Sequence, residues 1–401
     1  MKNKALIIGT ILSLYSTSSF STNMDFLSVN GFGTLGGAYQ DNDQVLYRDS
    51  IHTDKGSQGD FSFDNYSVLG LQLDAQATDK LSFTVQGIAS PTNSNDKAVK
   101  ITWANAKYKL NNNFDIRAGL MIAPNFMFSD ILNVAYSYDT VRLPDMYGLV
   151  TINDYTGAEL IYHNDIGEGY LSSSIFYGKT TDTLKAVIPG QGIFDIDLDA
   201  QSVSGISIKY IENDLTLKGS YIRSTMSVDS DNINNILSYL STLNLPIITN
   251  TLGPANTRDI ESDYFNLGAR YDFENAYVQG EYIQFKINNF LPDLSSWNLT
   301  SGYMLGDWTP FVSYSEVESK TKFTPISTQG LPPQVAASIT AANQGLSQVY
   351  RGWLTVDMQK VSVGTRYDIN DNFALKFQYD KQDSKDADDL EIFSTALNFV
   401  F

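Results

Sequence analysis

The sequence predicts an all-β chain closed into a transmembrane antiparallel barrel of about 16 strands. Three observations carry that prediction. Beyond Thr22 no apolar run approaches the ~18 residues that a membrane-crossing helix needs. The last eleven residues, Glu391 to Phe401, place Phe401, Phe399, Leu397, Thr395 and Phe393 on one face of an extended strand. Val400, Asn398, Ala396 and Ser394 fall on the other face. Finally, short Asn/Asp/Gly turns recur at every second junction between alternating segments, with longer loops between them.

The chain has 401 residues, 42% of them hydrophobic, with 24 Tyr, 22 Phe, 28 Gly and no Cys. The lack of Cys excludes a disulfide scaffold and thiol catalysis. Residues 1–21 read as a signal peptide: Lys2 and Lys4 supply charge, Ala5 to Leu14 an apolar stretch too short to span a bilayer, and Ser19-Phe20-Ser21 a small-x-small cleavage site. Residues 22–401 then form the barrel. The formal charge of −18 becomes −20 once Lys2 and Lys4 are removed, which argues against nucleic acid and for attraction of cations. An exported sheet that ends on an uncovered phenylalanine stripe would aggregate in water, whereas hydrocarbon covers it. Only a closed barrel satisfies every backbone group of a sheet in lipid.

Taken in order, the first segment is Phe26 to Gln40, with Leu27, Val29, Leu35 and Tyr39 on one face. The second, Asp60 to Asp74, points Leu69, Leu71 and Leu73 outward and Gln72 and Asp74 inward; Ala77 to Lys80 turns the chain into the third, Leu81 to Ser90. The facing of the fourth, Ala98 to Leu110, is ambiguous. After the turn Asn111 to Asn113, the fifth, Phe114 to Met121, sets Phe114, Ile116, Ala118 and Leu120 against Asp115 and Arg117. A long insertion, 122–154, follows. Tyr155 to His163 and Tyr170 to Tyr177 flank Asn164 to Gly167, and Gln201 to Ile211 and Leu215 to Met226 flank Glu212 to Asp214. Tyr264 to Asp272 and Ala276 to Ile287 flank Phe273 to Asn275, and Trp297 to Leu305 and Thr309 to Val317 flank Gly306-Asp307. Gly352 to Tyr367 and Phe373 to Lys381 flank Asp368 to Asn372, before the closing strand. Tyr108, Tyr162, Tyr177, Tyr210, Tyr271, Phe273, Trp297, Trp308 and Tyr367 gather near segment ends, as interfacial girdles do. Ile233 to Leu245 and Val335 to Ser347 read as short helices in outer loops.

The terminal Phe401 on an alternating strand resembles the closing strand of Gram-negative outer-membrane barrels, where it serves as an assembly signal. Asp115-Ile-Arg-Ala-Gly119, followed by the Tyr- and Asp-bearing stretch Met127 to Gly148 with its Arg-x-Pro element, looks like the third extracellular loop of Gram-negative porins. In that family this loop folds inward and narrows the channel at mid-height. The resemblance implies an outer-membrane channel for passive diffusion of small hydrophilic solutes and ions, weakly cation-preferring and trimeric. It also implies contact with outer-membrane lipid and lipopolysaccharide and delivery by the outer-membrane assembly machinery. The alternatives are a solute-selective channel or a non-conducting structural or adhesion barrel. An inward loop places its own charges at the narrowest point. Candidates are Asp130, Asp139, Arg142 and Asp145 on the loop, facing a basic wall of Arg117, Lys218, Arg270, Arg366 and Lys376. Each of these could equally pin the loop to the wall through a salt bridge. Arg270 and Arg366 also lie near tight turns, which would put them at the periplasmic mouth.

Catalysis finds no support. The only histidines, His52 and His163, fall at opposite ends of this layout, so neither a triad nor a two-His metal site assembles. Asp197 and Asp199, and Asp386, Asp388 and Asp389, read as solvated loop carboxylates. No phosphate-binding glycine loop or zinc spacing occurs, so no cofactor or metal is expected.

Overall fold

A computed structural model describes residues 26–91, 99–188, 192–244, 246, 257–288, 291–320, 322, 324–353, 356–385 and 387–401; the expected leader, 1–21, lies outside these. Seventeen strands form one antiparallel sheet that closes on itself. Sixteen are full staves: β1 (Leu27–Gln40), β2 (Val68–Gln76), β3 (Leu81–Ala89), β4 (Val99–Lys109), β5 (Phe114–Ile122), β6 (Asp154–Ile166), β7 (Gly169–Ile188) and β8 (Gly192–Glu212) make one half. The other half is β9 (Leu215–Asp229), β10 (Ile260–Asp272), β11 (Ala276–Ile287), β12 (Asp293–Tyr303), β13 (Trp308–Lys320), β14 (Met358–Asp368), β15 (Phe373–Ser384) and β16 (Leu390–Val400). The remaining strand, Phe61–Ser62, only extends the pairing beside β1. Each stave pairs with its sequence neighbour, and β16 closes onto β1 with Phe32 opposite Val400. Closure leaves no edge strand, so the ladder of backbone hydrogen bonds runs around the whole barrel and is interrupted only at bulges.

The outward faces carry the aliphatic and aromatic residues that the alternation assigns to them. Leu69, Leu71, Phe83, Ile116, Leu267, Trp297, Trp308 and Phe393 are all exposed, as a lipid-facing surface requires. Both termini of the described barrel lie at the short-turn end, where Phe401 exchanges backbone hydrogen bonds with Gly31 at 2.8 and 2.9 Å. The Phe401 ring fills the space beside that glycine, and a Cβ there would come within 2.1 Å of it. Among the tight turns, Asn213 adopts a left-handed φ of 48°. That is the conformation Asn tolerates better than other non-glycine residues.

Several expected boundaries move. The ambiguous facing of β4 has a cause: a bulge opposite Gln86/Gly87 skips Thr102, so Gln86 pairs with Trp103 and Gly87 with Ile101. The period-two pattern slips by one residue there. β7 and β8 run to 20 and 21 residues, so the hairpin continues beyond the expected Tyr177 and Gln201 limits. Asp197 and Asp199 therefore belong to strand β8, opposite Thr183 and Thr181, and not to a loop. Asp388 and Asp389 do lie between strands, and Asp386 lies outside the described residues. The stave expected at Gly352 begins only at Met358, because the preceding segment is helical. The helices are α1 (Met146–Leu149), a single turn within the inward segment, and the two outer ones, α2 (Asp231–Thr242) and α3 (Pro333–Trp353). Leu240 of α2 packs with Ile339, Ala342 and Leu346 of α3 in a satellite core outside the barrel wall.

Candidate constriction site

The segment between β5 and β6, residues 123–153, turns into the barrel and docks at two places. At the first, a row of directly paired wall positions runs Lys209 (β8), Lys218 (β9), Gly268 (β10), Glu281 (β11). The loop lies along this row. Lys218 donates to the Phe126 carbonyl, and Glu281 accepts from the Met127 N–H at 2.7 Å, the Tyr147 hydroxyl at 2.6 Å and the Asn266 amide at 2.7 Å. Gly268 leaves the room: a Cβ there would lie 2.4 Å from the Met127 side chain. Phe126 stacks on Tyr147 with centroids 4.0 Å apart. Both join one apolar cluster with Met146, Ile222, Met226, Ile283 and Phe285. The long-loop half of this wall sector is thus apolar on its inward face. The greasy side of the loop needs a partner, and these strands supply it.

The second docking is made by charge. Lys376, fully buried on β15, donates to the carbonyls of Ala135, Tyr138 and Thr140. Arg366 on β14 donates to the Tyr136 carbonyl at 2.6 Å, stacks over that ring, and lies 3.7 Å from Asp139. Asp139 also lies close to the Tyr277 hydroxyl. Arg142 sits between Asp145 at 2.8 Å and Asp380 at 3.6 Å, and over the Tyr47 ring at 5.1 Å. Lys360 closes on the far side of Asp145. The Tyr136 hydroxyl donates to the Asp371 carbonyl, which lies in a tight turn. The loop therefore reaches the short-turn end and does not stop at mid-height, because Arg366 and Lys376 capture its carbonyls low on the wall.

The candidate residues divide accordingly. Arg142, Asp145, Asp139, Arg366 and Lys376 lock the loop down, and Arg142 and Asp145 are buried, out of the lumen. Arg270 pairs with Asp272 at 2.7 Å and stacks on Tyr277 at 3.9 Å, beside its turn. Asp130 is different: it is exposed, at the start of the segment that descends between the two dockings. Its side chain reaches water, yet the surrounding wall partly desolvates it and would raise its carboxyl pKa; Lys218, Lys209 and Arg117 outweigh that and hold it below the usual range. Arg117 is bound to Glu159 at 2.6 Å and lies 5.8 Å over Trp103. Next to it, Gln86, Gln72, Asp74, Thr84 and Thr102 form a hydrogen-bonded polar surface on β2 to β4. Reading the sequence missed Lys209, Trp103 and Glu281. Lys209 and Glu281 share the inward alternation of their strands and could have been found by it, whereas the bulge conceals Trp103.

The loop between β1 and β2 covers the inward segment from the long-loop side. Ile51 N–H donates to Gly148, His52 Nε2 lies 2.9 Å from the Val150 carbonyl, and His52 Nδ1 lies 3.1 Å from Asp182. Among the described residues no group of three or more His, Cys, Asp or Glu could hold a metal ion.

The structure is thus a closed sixteen-stave barrel with a segment from its own wall folded across the lumen. A family model described as Gram-negative porin matches residues 247–395. Among solved structures, the barrel resembles the outer membrane channel DcaP of Acinetobacter baumannii (10% identity, covering 94% of this chain and 97% of that one, TM-score 0.55). It also resembles Salmonella typhi OmpF in complex with daunomycin (13%, 94% and 97%, 0.54) and OmpT, an outer membrane protein of Vibrio cholerae (12%, 96% and 100%, 0.52). No curated protein sequence matches the chain. The porin resemblance thus has a family-model match over residues 247–395, which does not reach the inward loop, and a fold match over nearly the whole chain.

Proposed function

We propose that the barrel is an outer-membrane channel for passive diffusion of small hydrophilic solutes and ions, with its eyelet between Asp130 on the inward loop and Arg117 and Lys209 on the wall. The observation that carries this reading is the exposed Asp130 carboxylate facing three bases, on a loop otherwise pinned by buried contacts. A fixed transverse field of this kind admits polar solutes and resists apolar ones. The excess of 45 acidic over 27 basic residues supports a weak cation preference. In this reading residues 1–21 direct export, Phe401 acts as the assembly signal, the barrel contacts lipopolysaccharide, and the channel is a homotrimer. It is a conduit and not a catalyst: His52 and His163 belong to opposite ends of the barrel. A second reading, a non-conducting barrel, draws on the apolar packing between loop and wall.

Single-channel recording of the purified protein in a planar bilayer separates the two. Ohmic steps, grouped in threes for a trimer, with a cation-selective reversal potential support the channel; a silent membrane overturns it. Asp130→Asn is expected to shift the reversal potential toward anions without loss of folded protein.

A further inference from the structure

A polar cleft of about 260 Å³ opens at the short-turn end, between the β2–β3 turn, the inward faces of β3 to β5 and the end of β6. Its wall carries Lys80, Lys107, Lys109, His163, Asp79 and Asp115. We propose that this cleft is a binding station for a small oxyanion that also carries an O–H donor, such as phosphate or a hydroxycarboxylate. The placement of the cleft at the periplasmic exit rests on the channel reading.

The argument begins with pairing. Along the lumen most other cations hold a partner: Arg117, Arg142, Arg270, Arg366 and Lys360 each hold a carboxylate, and Lys218 and Lys376 hold loop carbonyls, which leaves Lys209 beside Asp130 as the exception outside this cleft. Among the described residues no ion pair engages Lys80, Lys107 or Lys109. This is so in a chain with 45 acidic residues available. Lys107 sits directly opposite Arg117 across the sheet; Glu159 takes up the charge of Arg117, so Lys107 is the member of the pair left without a counter-ion. Asp115 pairs in register with Lys109 yet forms no ion pair with it, and its Oδ1 is buried with no hydrogen-bond partner. A buried acceptor left open costs free energy until a donor fills it.

Three ammonium groups against two carboxylates leave the cleft net positive. An incoming anion would take charge-assisted hydrogen bonds from the lysines. Its own O–H would then donate to Asp115. Phosphate near neutral pH offers both functions; sulfate offers acceptors only.

The test is equilibrium dialysis of the detergent-solubilised full chain against radiolabelled inorganic phosphate, with sulfate and citrate as competitors. Saturable binding is expected, weakened at least tenfold in the Lys80→Gln/Lys109→Gln double variant, whose two side chains are exposed at turns and leave the barrel's melting unchanged. Citrate should compete, and sulfate should compete at least tenfold less well. Asp115→Asn should remove that discrimination. Non-saturable uptake, or binding indifferent to the lysine variant, overturns the station. Binding in a barrel that conducts no current keeps the station and defeats the channel reading; conductance without binding does the reverse.

Discussion

The two dockings of the inward loop hold one segment by opposite means. Around Phe126 and Met127 the loop meets the β9–β11 wall through stacked rings, a glycine-sized gap and one carboxylate, Glu281, whose partners are neutral donors. Between Ala135 and Asp145 it meets β13 to β15 through Lys376, Arg366, Arg142 and Lys360. Apolar contact does not titrate, and ionic screening does not weaken it. Buried ion pairs depend on every partner being present, since removing one strands the others. The apolar docking therefore sets where the loop sits, and the charged docking makes that position conditional on protonation.

Substituting one member at each docking should expose this difference. Arg142→Met leaves Asp380 without its cation and Asp145 with Lys360 alone, and should weaken the docking by about 3–5 kcal/mol, read as faster amide exchange over 135–147. Phe126→Ala, which empties a well-packed site, should cost about 3–4 kcal/mol in urea unfolding at every pH; a pH-dependent loss would break the comparison. Glu281→Gln keeps the shape and forfeits three charge-assisted hydrogen bonds, at about 1–3 kcal/mol by the same measurement.

A fourth prediction concerns pH. Asp49, in the loop over Arg142, has its carboxyl pushed up to about 6, first by burial, with Arg142 and Arg48 only partly offsetting it. A raised carboxyl pKa means that ionisation costs the native state. Stability should therefore rise as pH falls from 7 through 6 toward the ordinary carboxyl range of about 4. Asp49→Asn should flatten that rise in melting temperature. Asp145 has the opposite sign: burial would raise its pKa, but Arg142 and Lys360 hold it well below the usual range. Its contribution stands at and above ordinary carboxyl values and is lost only in strong acid. The smallest effect belongs to Asp130→Asn, within about 0.5 kcal/mol of the parent in stability, because the group is exposed and only its field is used.

Much of the barrel was legible beforehand because one face of each stave meets lipid. That demand imprints a period of two on Leu69 to Asp74, on Phe114 to Leu120 and on Phe393 to Phe401. Where the imprint is absent the reading slipped: β4 carries a bulge, and the upper parts of β7 and β8 extend past the segments first assigned to them. Charged residues in the inward loop could be named but not sorted. Asp130 and Asp145 are both aspartates on one loop, yet one is exposed beside a basic wall and the other is buried between Arg142 and Lys360.

The sequence by itself determined the stave pattern, the outward stripe, the turns at one end and the existence of a long segment between β5 and β6. These are local consequences of side-chain alternation and turn chemistry. Only the tertiary structure decided which charges lock and which remain free. That choice depends on partners more than two hundred residues away, as in Ala135 with Lys376, and on a gap at Gly268 that no local pattern announces.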